Sequence, residues 1–166
     1  MLIVGVDNGL DGGLCAVSTD GLVIDKIVMP TKWVCKKREI DTTVIKKWLL
    51  FLNTPFLLAV EEPLAHARSS QAVRSMALSF GKLCGMAETS DFSMCRVSVH
   101  KWQKQILGFV PKGKTKEVAL QRAEQLAPKE CWIKNKRCRV AHDGMVDAFL
   151  IATYILNTQK KIEKIS

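Results

Sequence analysis

Four acidic side chains stand at the ends of apolar segments of this sequence: Asp7, Glu61, Asp143 and Asp147. An isolated carboxylate at the end of a core strand is unfavourable, because burying a charge costs several kcal/mol even after relaxation. If the four carboxylates converge, each raises the pKa values of the others, so they cannot all ionise without a cation. A ligand set of oxygen atoms alone selects Mg²⁺ or Mn²⁺ rather than zinc. The alternative for Asp7 is a cap of the turn that follows it.

The positive charge of the chain is concentrated in one segment. The formal net charge is +9, and residues 101–139 contain 11 basic and 3 acidic residues. A smaller basic cluster comprises Lys32, Lys36, Lys37 and Arg38. So local an excess favours a polyanionic partner, with nucleic acid as the first candidate. Beside such a surface, two divalent cations about 4 Å apart would suit phosphodiester hydrolysis, one activating water and the other stabilising the leaving oxygen.

Two apolar runs deliver the first two acids. Residues 2–6 and 13–18 face each other across a glycine-rich turn, which predicts a buried hairpin with Asp7 at the end of its first strand. Residues 56–60 are fully apolar, which predicts a parallel strand covered on both faces. Glu61 and Glu62 follow and point to opposite faces if extended, so only one can join Asp7. Glu61 is favoured because it follows the strand directly.

The rest of the chain alternates between strand and helix patterns. Predicted strands span residues 2–6, 13–18, 22–28, 56–60 and 94–99, and predicted helices span residues 41–52, 69–88, 100–107, 116–126 and 142–159. Asp41 is the expected N-cap of the first helix, and residues 30–38 are expected to form a loop. The order predicts an α/β fold with a five-stranded mixed sheet, three antiparallel strands plus parallel ones, flanked by helices. Asp143 and Asp147, four residues apart, share one face of the last helix.

Composition and length bound the class of protein. A chain of 166 residues with a 48% apolar share fits one globular domain over 1–166 rather than a disordered segment. No membrane span or secretory signal is recognisable, so a soluble, cytoplasmic protein without a membrane partner is expected. The six cysteines include no C-x-x-C pair, which favours reduced and mostly buried thiols. Zinc ligation by Cys131, Cys138 and His142 fits no common spacing.

Five segments, in this order and spacing, resemble the motifs of RuvC-type Holliday junction resolvases of the RNase H-like nuclease superfamily, especially small bacteriophage-type members. These segments are residues 5–17, with Asp7 and the glycine turn; 59–61, with Glu61; the glycine-bearing 79–85; 99–102; and the helix start 142–148. The resemblance covers nearly the whole chain. One departure is that many members separate the last two acids by three residues, whereas here the spacing is four and Gly144 stands where an acid could be.

The resemblance implies an RNase H-like fold and an endonuclease that nicks two strands of a four-way DNA junction symmetrically as a homodimer. It implies Asp7, Glu61, Asp143 and Asp147 as catalytic residues and ligands of Mg²⁺, with Mn²⁺ as a substitute and His142 as a further candidate ligand. It also implies a lysine near the site, which Lys114 or Lys116 could supply. No small-molecule cofactor is expected. The candidate DNA contacts are Arg68, Arg74, Lys101, Lys112, Lys114 and Lys116.

Other functions remain open at the level of sequence. A nuclease for RNA–DNA hybrids or other branched nucleic acid would use the same acids. A DNA-binding protein without catalysis would use them as caps and surface charges. An actin-like or sugar-kinase-like phosphotransferase also begins with a strand Asp and a glycine hairpin, but needs a second such domain that this chain does not offer.

Overall fold

The computed structural model describes residues 1–63 and 70–163. The strands are β1 (Leu2–Asp7), β2 (Gly13–Ser18), β3 (Val23–Val28), β4 (Thr31–Val34), β5 (Lys37–Ile40), β6 (Phe56–Glu61) and β7 (Met94–Val97). The helices are α1 (Thr42–Phe51), α2 (Ser70–Thr89), α3 (Val99–Ile106), α4 (Thr115–Leu126) and α5 (Asp143–Glu163).

The main sheet has five strands in the order β3-β2-β1-β6-β7. Strands β1, β2 and β3 pair antiparallel, whereas β6 is parallel to both β1 and β7. The mixed sheet predicted from the sequence is therefore confirmed. Because β1, β6 and β7 run in the same direction, their carboxyl ends lie at one edge of the sheet.

Both faces of the sheet are covered. Helices α3, α4 and α5 pack on one face around Trp102 and Phe149, and α1 and α2 pack on the other around Leu49 and Leu83. This burial explains why residues 56–60 of β6 are all apolar, since their side chains meet a helix layer on either side. The N-cap prediction is also correct: the Asp41 carboxylate accepts hydrogen bonds from the backbone N–H groups of the first turn of α1.

Helix α5 crosses β1 and β2 at backbone contact distance. A Cβ atom on Gly144 would lie under 3.0 Å from backbone atoms of Gly12, and one on Gly5 would meet the Ala148 carbonyl oxygen equally closely. Gly12 and Gly144 form an isolated parallel bridge. Gly144 is thus required for helix α5 to approach the β1–β2 turn this closely.

Two predictions were wrong in detail. Residues 30–38 were expected to form a loop, but β4 and β5 form a separate two-stranded hairpin over this stretch. Its turn residues Cys35 and Lys36 both have positive φ, which is usually supplied by Asn-Gly or Gly-Gly, so the sequence carried no turn signal.

The cysteines are all free, as expected, but only Cys15 is fully buried, and Cys35 and Cys131 are exposed. Within the described ranges, no helix has the length and hydropathy needed to cross a bilayer.

We expect Gly144→Ala to lower the free energy of unfolding by about 2–3 kcal/mol, because the new methyl group must push α5 away from the β1–β2 turn. Urea denaturation of the folded chain measures this. Gly81→Ala is the matched control, since Gly81 also lies within a helix but faces open space. That substitution should stabilise the protein by about 0.5–1 kcal/mol. Equal midpoints for Gly144→Ala and the wild type would contradict the close-packing argument.

Candidate active site

The carboxyl edge of the sheet brings the sequence-predicted acids together. Val6 pairs with Val60 in the parallel ladder, so the following residues, Asp7 and Glu61, leave β1 and β6 side by side. Helix α5 begins against the glycine turn, and Asp147 lies one turn into it. The carboxylate of Asp147 interacts electrostatically with those of Asp7, Glu61 and Asp143. We refer to these four residues as the acid cluster.

Burial and mutual repulsion raise the pKa values of three members of the acid cluster, Asp7, Glu61 and Asp147. Burial is the largest cause in each case: it raises the pKa of Asp147 to about 8, with further contributions from the other three carboxylates. Burial and the charge of Asp7 raise the pKa of Glu61 to about 7. Burial raises the pKa of Asp7, whereas the Gly9 N–H, which donates to Asp7 Oδ1 at 3.0 Å, lowers it. Without a cation, the cluster is therefore partly protonated near neutral pH.

Glu61 is held in a defined orientation. The indole N–H of Trp102 donates to Glu61 Oε1 at 2.6 Å, and the Asn8 side-chain amide donates to the Glu61 carbonyl oxygen at 2.7 Å. Glu61 is 8% exposed, whereas the neighbouring Glu62 is partly exposed and bonds through its N–H to the Val97 carbonyl. Of the two adjacent glutamates, Glu61 is the one that lies in the acid cluster.

Sequence reasoning missed the supporting roles of Trp102 and Asn8. The segment 99–102 was recognised only as part of a motif. The sequence offered only the residue types: a tryptophan or asparagine needs a hydrogen-bond partner once it is buried, and the burial of Trp102 and Asn8 is visible only in the structure. The partner could not be identified without knowing that α3 packs beneath the end of β6.

The structure distinguishes the two candidate lysines. Lys116 Nζ donates to Asp143 Oδ2, and its charge lowers the pKa of Asp147. Lys114, the N-cap residue of α4, instead pairs with the exposed Glu117 of that helix at 2.6 Å. Lys116 is thus the lysine beside the acid cluster.

His142 and Asp143, the alternatives for a further ligand, both lie near Asp7. The charge of His142 lowers the pKa of Asp7, and the charge of Asp143 raises it. His142 Nδ1 accepts a long hydrogen bond of 3.4 Å from the Met145 N–H in the first turn of α5. Both side chains therefore flank the cluster at the helix start.

The chemistry of the donor set fits a hard divalent cation. Carboxylates that raise each other's pKa values gain most from a cation placed between them, and oxygen ligands match Mg²⁺. As the side chains stand, no three acidic, histidine or cysteine side chains within 1–63 and 70–163 are close enough together to hold a metal ion. Ligation would therefore require the repelling carboxylates to rotate toward one another.

The remaining predicted DNA contacts lie on other elements than the four acids. Lys101 is exposed on α3, Lys112 is exposed in the loop before α4, and Arg74 lies in the N-terminal half of α2. Arg68 is outside the described residues.

Comparison with solved structures identifies the fold. A structure titled "T. thermophilus RuvC in complex with Holliday junction substrate" matches with a TM-score of 0.67 and 17% identity over 97% of this chain and 96% of that chain. A second Thermus thermophilus RuvC structure matches with a TM-score of 0.61 and 15% identity, covering 97% of each chain. No protein-family model matches the sequence, and no curated protein matches it significantly. The chain thus has the RuvC fold, as the sequence resemblance implied.

We expect the metal-free protein to lose stability as pH rises. The folded-state pKa values of Glu61 and Asp147, about 7 and about 8, lie above the value of about 4 for an unfolded chain. Between these limits the folded state binds more protons than the unfolded state, so the free energy of unfolding falls as pH increases. Asp147→Asn removes the largest of these penalties. It should therefore raise the melting temperature at about pH 8 by several degrees.

Urea denaturation in EDTA from about pH 5 to about pH 8 measures the pH dependence of the free energy of unfolding, and thermal unfolding in EDTA at about pH 8 measures the melting temperature. Asp20→Asn is the control, because Asp20 lies in the exposed turn after β2. Added Mg²⁺ should flatten the slope for the wild type and have less effect on Asp147→Asn. Identical slopes for the wild type and Asp147→Asn in EDTA would show that the cluster is not strained by its own charge.

Proposed function

We propose that this protein is a metal-dependent, structure-selective DNA endonuclease that resolves four-way or other branched junctions by paired phosphodiester cleavage. The observation that carries the proposal is the acid cluster beside Lys116 at one edge of the sheet. The fold gives further support, since it is shared with a RuvC structure in complex with a Holliday junction substrate.

In this proposal the carboxylates of the acid cluster hold the metal ions, with His142 as an alternative to Asp143. Bound Mg²⁺, with Mn²⁺ as a substitute, would supply an activated water and stabilise the leaving oxygen in a two-metal mechanism. Trp102 and Asn8 orient Glu61, so one of the required ligands is pre-positioned. The raised pKa values mean that metal binding would release protons, and binding should therefore strengthen with pH.

Lys116 has a separate role in the proposal. Its ammonium group lies beside Asp143 and is largely exposed, so it can turn toward a phosphate bound at the acid cluster. A fixed cation there would stabilise the negative charge that develops on the phosphate in the transition state. Lys114, two residues earlier and paired with Glu117, is not expected to take this part.

Paired cleavage requires two sites with a fixed relation. A symmetric homodimer supplies one acid cluster per subunit and matches the two-fold symmetry of a four-way junction. Arg74, Lys101 and Lys112 are proposed to contact phosphates, together with Arg68. Binding should therefore weaken steeply with salt.

We expect Asp7→Asn to lower the cleavage rate at least about a hundredfold while retaining binding, because the substitution removes a metal-ligating charge without changing the shape of the side chain. The assay is a gel of four-way, three-way, flap, linear-duplex and RNA–DNA hybrid substrates, with and without Mg²⁺. Asp20→Asn controls for the loss of one acid.

Undiminished cutting by Asp7→Asn would contradict the assignment of the acids. Preferred cutting of the hybrid would redirect the substrate assignment toward RNA–DNA hybrids. Tight junction binding that never leads to cleavage would instead favour a DNA-binding protein without catalysis.

We expect Lys116→Ala to lower the single-turnover cleavage rate about tenfold or more, whereas Lys114→Ala leaves it within about twofold. The two variants lose the same charge from positions only two residues apart, Lys114 at the N-cap of α4 and Lys116 in its first turn, so non-specific electrostatic effects on binding are matched. The rate is measured with enzyme in excess and substrate saturated, which separates chemistry from affinity. Equal rates for the two variants would remove Lys116 from the mechanism.

A further inference from the structure

A groove separate from the acid cluster lies between the β4–β5 hairpin and the N-terminal half of α2. Its volume is about 700 Å³, and the residues used in the argument are Leu10, Trp33, Lys36, Lys37, Arg38 and Arg74. We call it the hairpin groove. One wall of this groove is formed by the β4–β5 hairpin, which the sequence did not predict.

The hairpin groove is positively charged. Four of its lining residues are cations and one, Glu39, is an acid, which is itself paired with Lys82. Arg38 is held by the β1–β2 turn, where it bonds to the Leu10 carbonyl and to Asp11. Among the described residues, no ion pair involves Lys36, Lys37 or Arg74. Three cations therefore remain available to an anionic ligand.

An exposed aromatic ring borders the same groove. Trp33 is 74% exposed, whereas Trp102 and Trp132 are buried, and Trp48 is partly buried with its indole N–H bonded to Asp25. A solvated indole beside several cations is the combination that binds nucleic-acid strands, because bases stack on the ring while phosphates contact the charges. Stacking requires an exposed base face, which a continuous duplex does not offer.

The groove is tied to the acid cluster through the chain. The turn that carries Leu10 and Asp11 begins directly after Asp7, and Arg38 joins this turn to β5. On the other side, the Lys82–Glu39 ion pair joins β5 to α2. A strand bound in the groove would therefore be held in a fixed relation to the cluster.

We propose that the hairpin groove binds an unpaired DNA strand next to the branch point, with Lys36, Lys37 and Arg74 contacting phosphates and Trp33 stacking on a base. This inference rests on the proposed function, because it assigns the groove a part of the same substrate. It adds a preference for branched DNA whose junction exposes unpaired bases.

The phosphate contacts are tested by fluorescence anisotropy in EDTA, where cleavage does not occur. The probes are an oligothymidine strand, a fully paired four-way junction, and the same junction with unpaired thymidines at its branch point. The variant is Lys36→Ala with Lys37→Ala, and its matched control is Lys160→Ala with Lys161→Ala, near the far end of α5 roughly 25 Å from Asp143. The groove variant should bind the strand and the unpaired junction about tenfold more weakly, with a smaller salt slope, while the control pair changes little.

The stacking contact is tested by tryptophan fluorescence and affinity. Oligothymidine should quench the exposed tryptophan of the wild type, and Trp33→Phe should abolish that quenching while keeping most of the affinity. Trp33→Ala should lose about tenfold in affinity for the unpaired junction. Phe109→Ala is the control, since Phe109 is 90% exposed but does not line the groove.

The outcomes separate this inference from the proposed function. Variants of Lys36, Lys37 and Trp33 that bind all three probes as tightly as the wild type overturn the groove assignment, even if junctions are cut. Groove-dependent strand binding by a protein that cuts nothing supports the groove and rejects the nuclease. An equal loss of affinity in the Lys36–Lys37 variant and the Lys160–Lys161 variant would show that only net charge matters, and would overturn the inference.

Discussion

The arrangement of the site depends on the direct contact between the backbone of α5 and the β1–β2 hairpin. Gly5, Gly13 and Gly144 allow this contact. A Cβ atom on Gly5 or Gly13 would collide with the backbone of α5, and one on Gly144 would collide with the backbone of the hairpin turn. Only at this separation does Asp147, one turn into α5, come close enough to Asp7 and Glu61 for their charges to interact. The same contact accounts for the glycine at position 144, between Asp143 and Asp147. Packing of Gly144 fixes the start of α5, and Asp143 and Asp147 lie before and after this glycine in the helix.

The cost of removing carboxylates from water opposes this close packing. Burial of the acid cluster raises the pKa values of Glu61 and Asp147. The protein offsets part of this cost with donors and a cation: Trp102 bonds to Glu61, the Gly9 N–H bonds to Asp7, and Lys116 pairs with Asp143. The remaining repulsion is what a divalent cation would remove. Strain of this kind is expected at a functional site, where local stability is given up for chemistry.

Much of the main sheet and of the acid cluster could be predicted from the sequence, and the reason differs from one element to the next. Short apolar runs predict strands of the main sheet, and the apolar character of residues 56–60 predicts a parallel strand, although its pairing with β1 is known only from the structure. Asp7 and Glu61 could be paired because each directly follows its strand. The β4–β5 hairpin could not be predicted, since Cys35 and Lys36 take a left-handed turn without the usual residues. The sequence also could not distinguish Lys114 from Lys116 as the lysine beside the acid cluster, because that depends on where α4 lies relative to α5.

Net charge was the least specific of the sequence signals, and ion pairing explains why. The formal charge of +9 counts Lys116, Lys82, Arg38 and Lys114 equally with unpaired cations, yet each of these four is paired with a carboxylate of the chain. A phosphate must displace that carboxylate before it gains the contact, so a paired lysine contributes less to DNA affinity than an unpaired one. Lys36 and Lys37 carry no such cost among the described residues. Residue for residue, Lys36 and Lys37 can therefore contribute more to strand binding than Lys114 and Lys116, the two lysines of segment 101–139 that are paired with carboxylates.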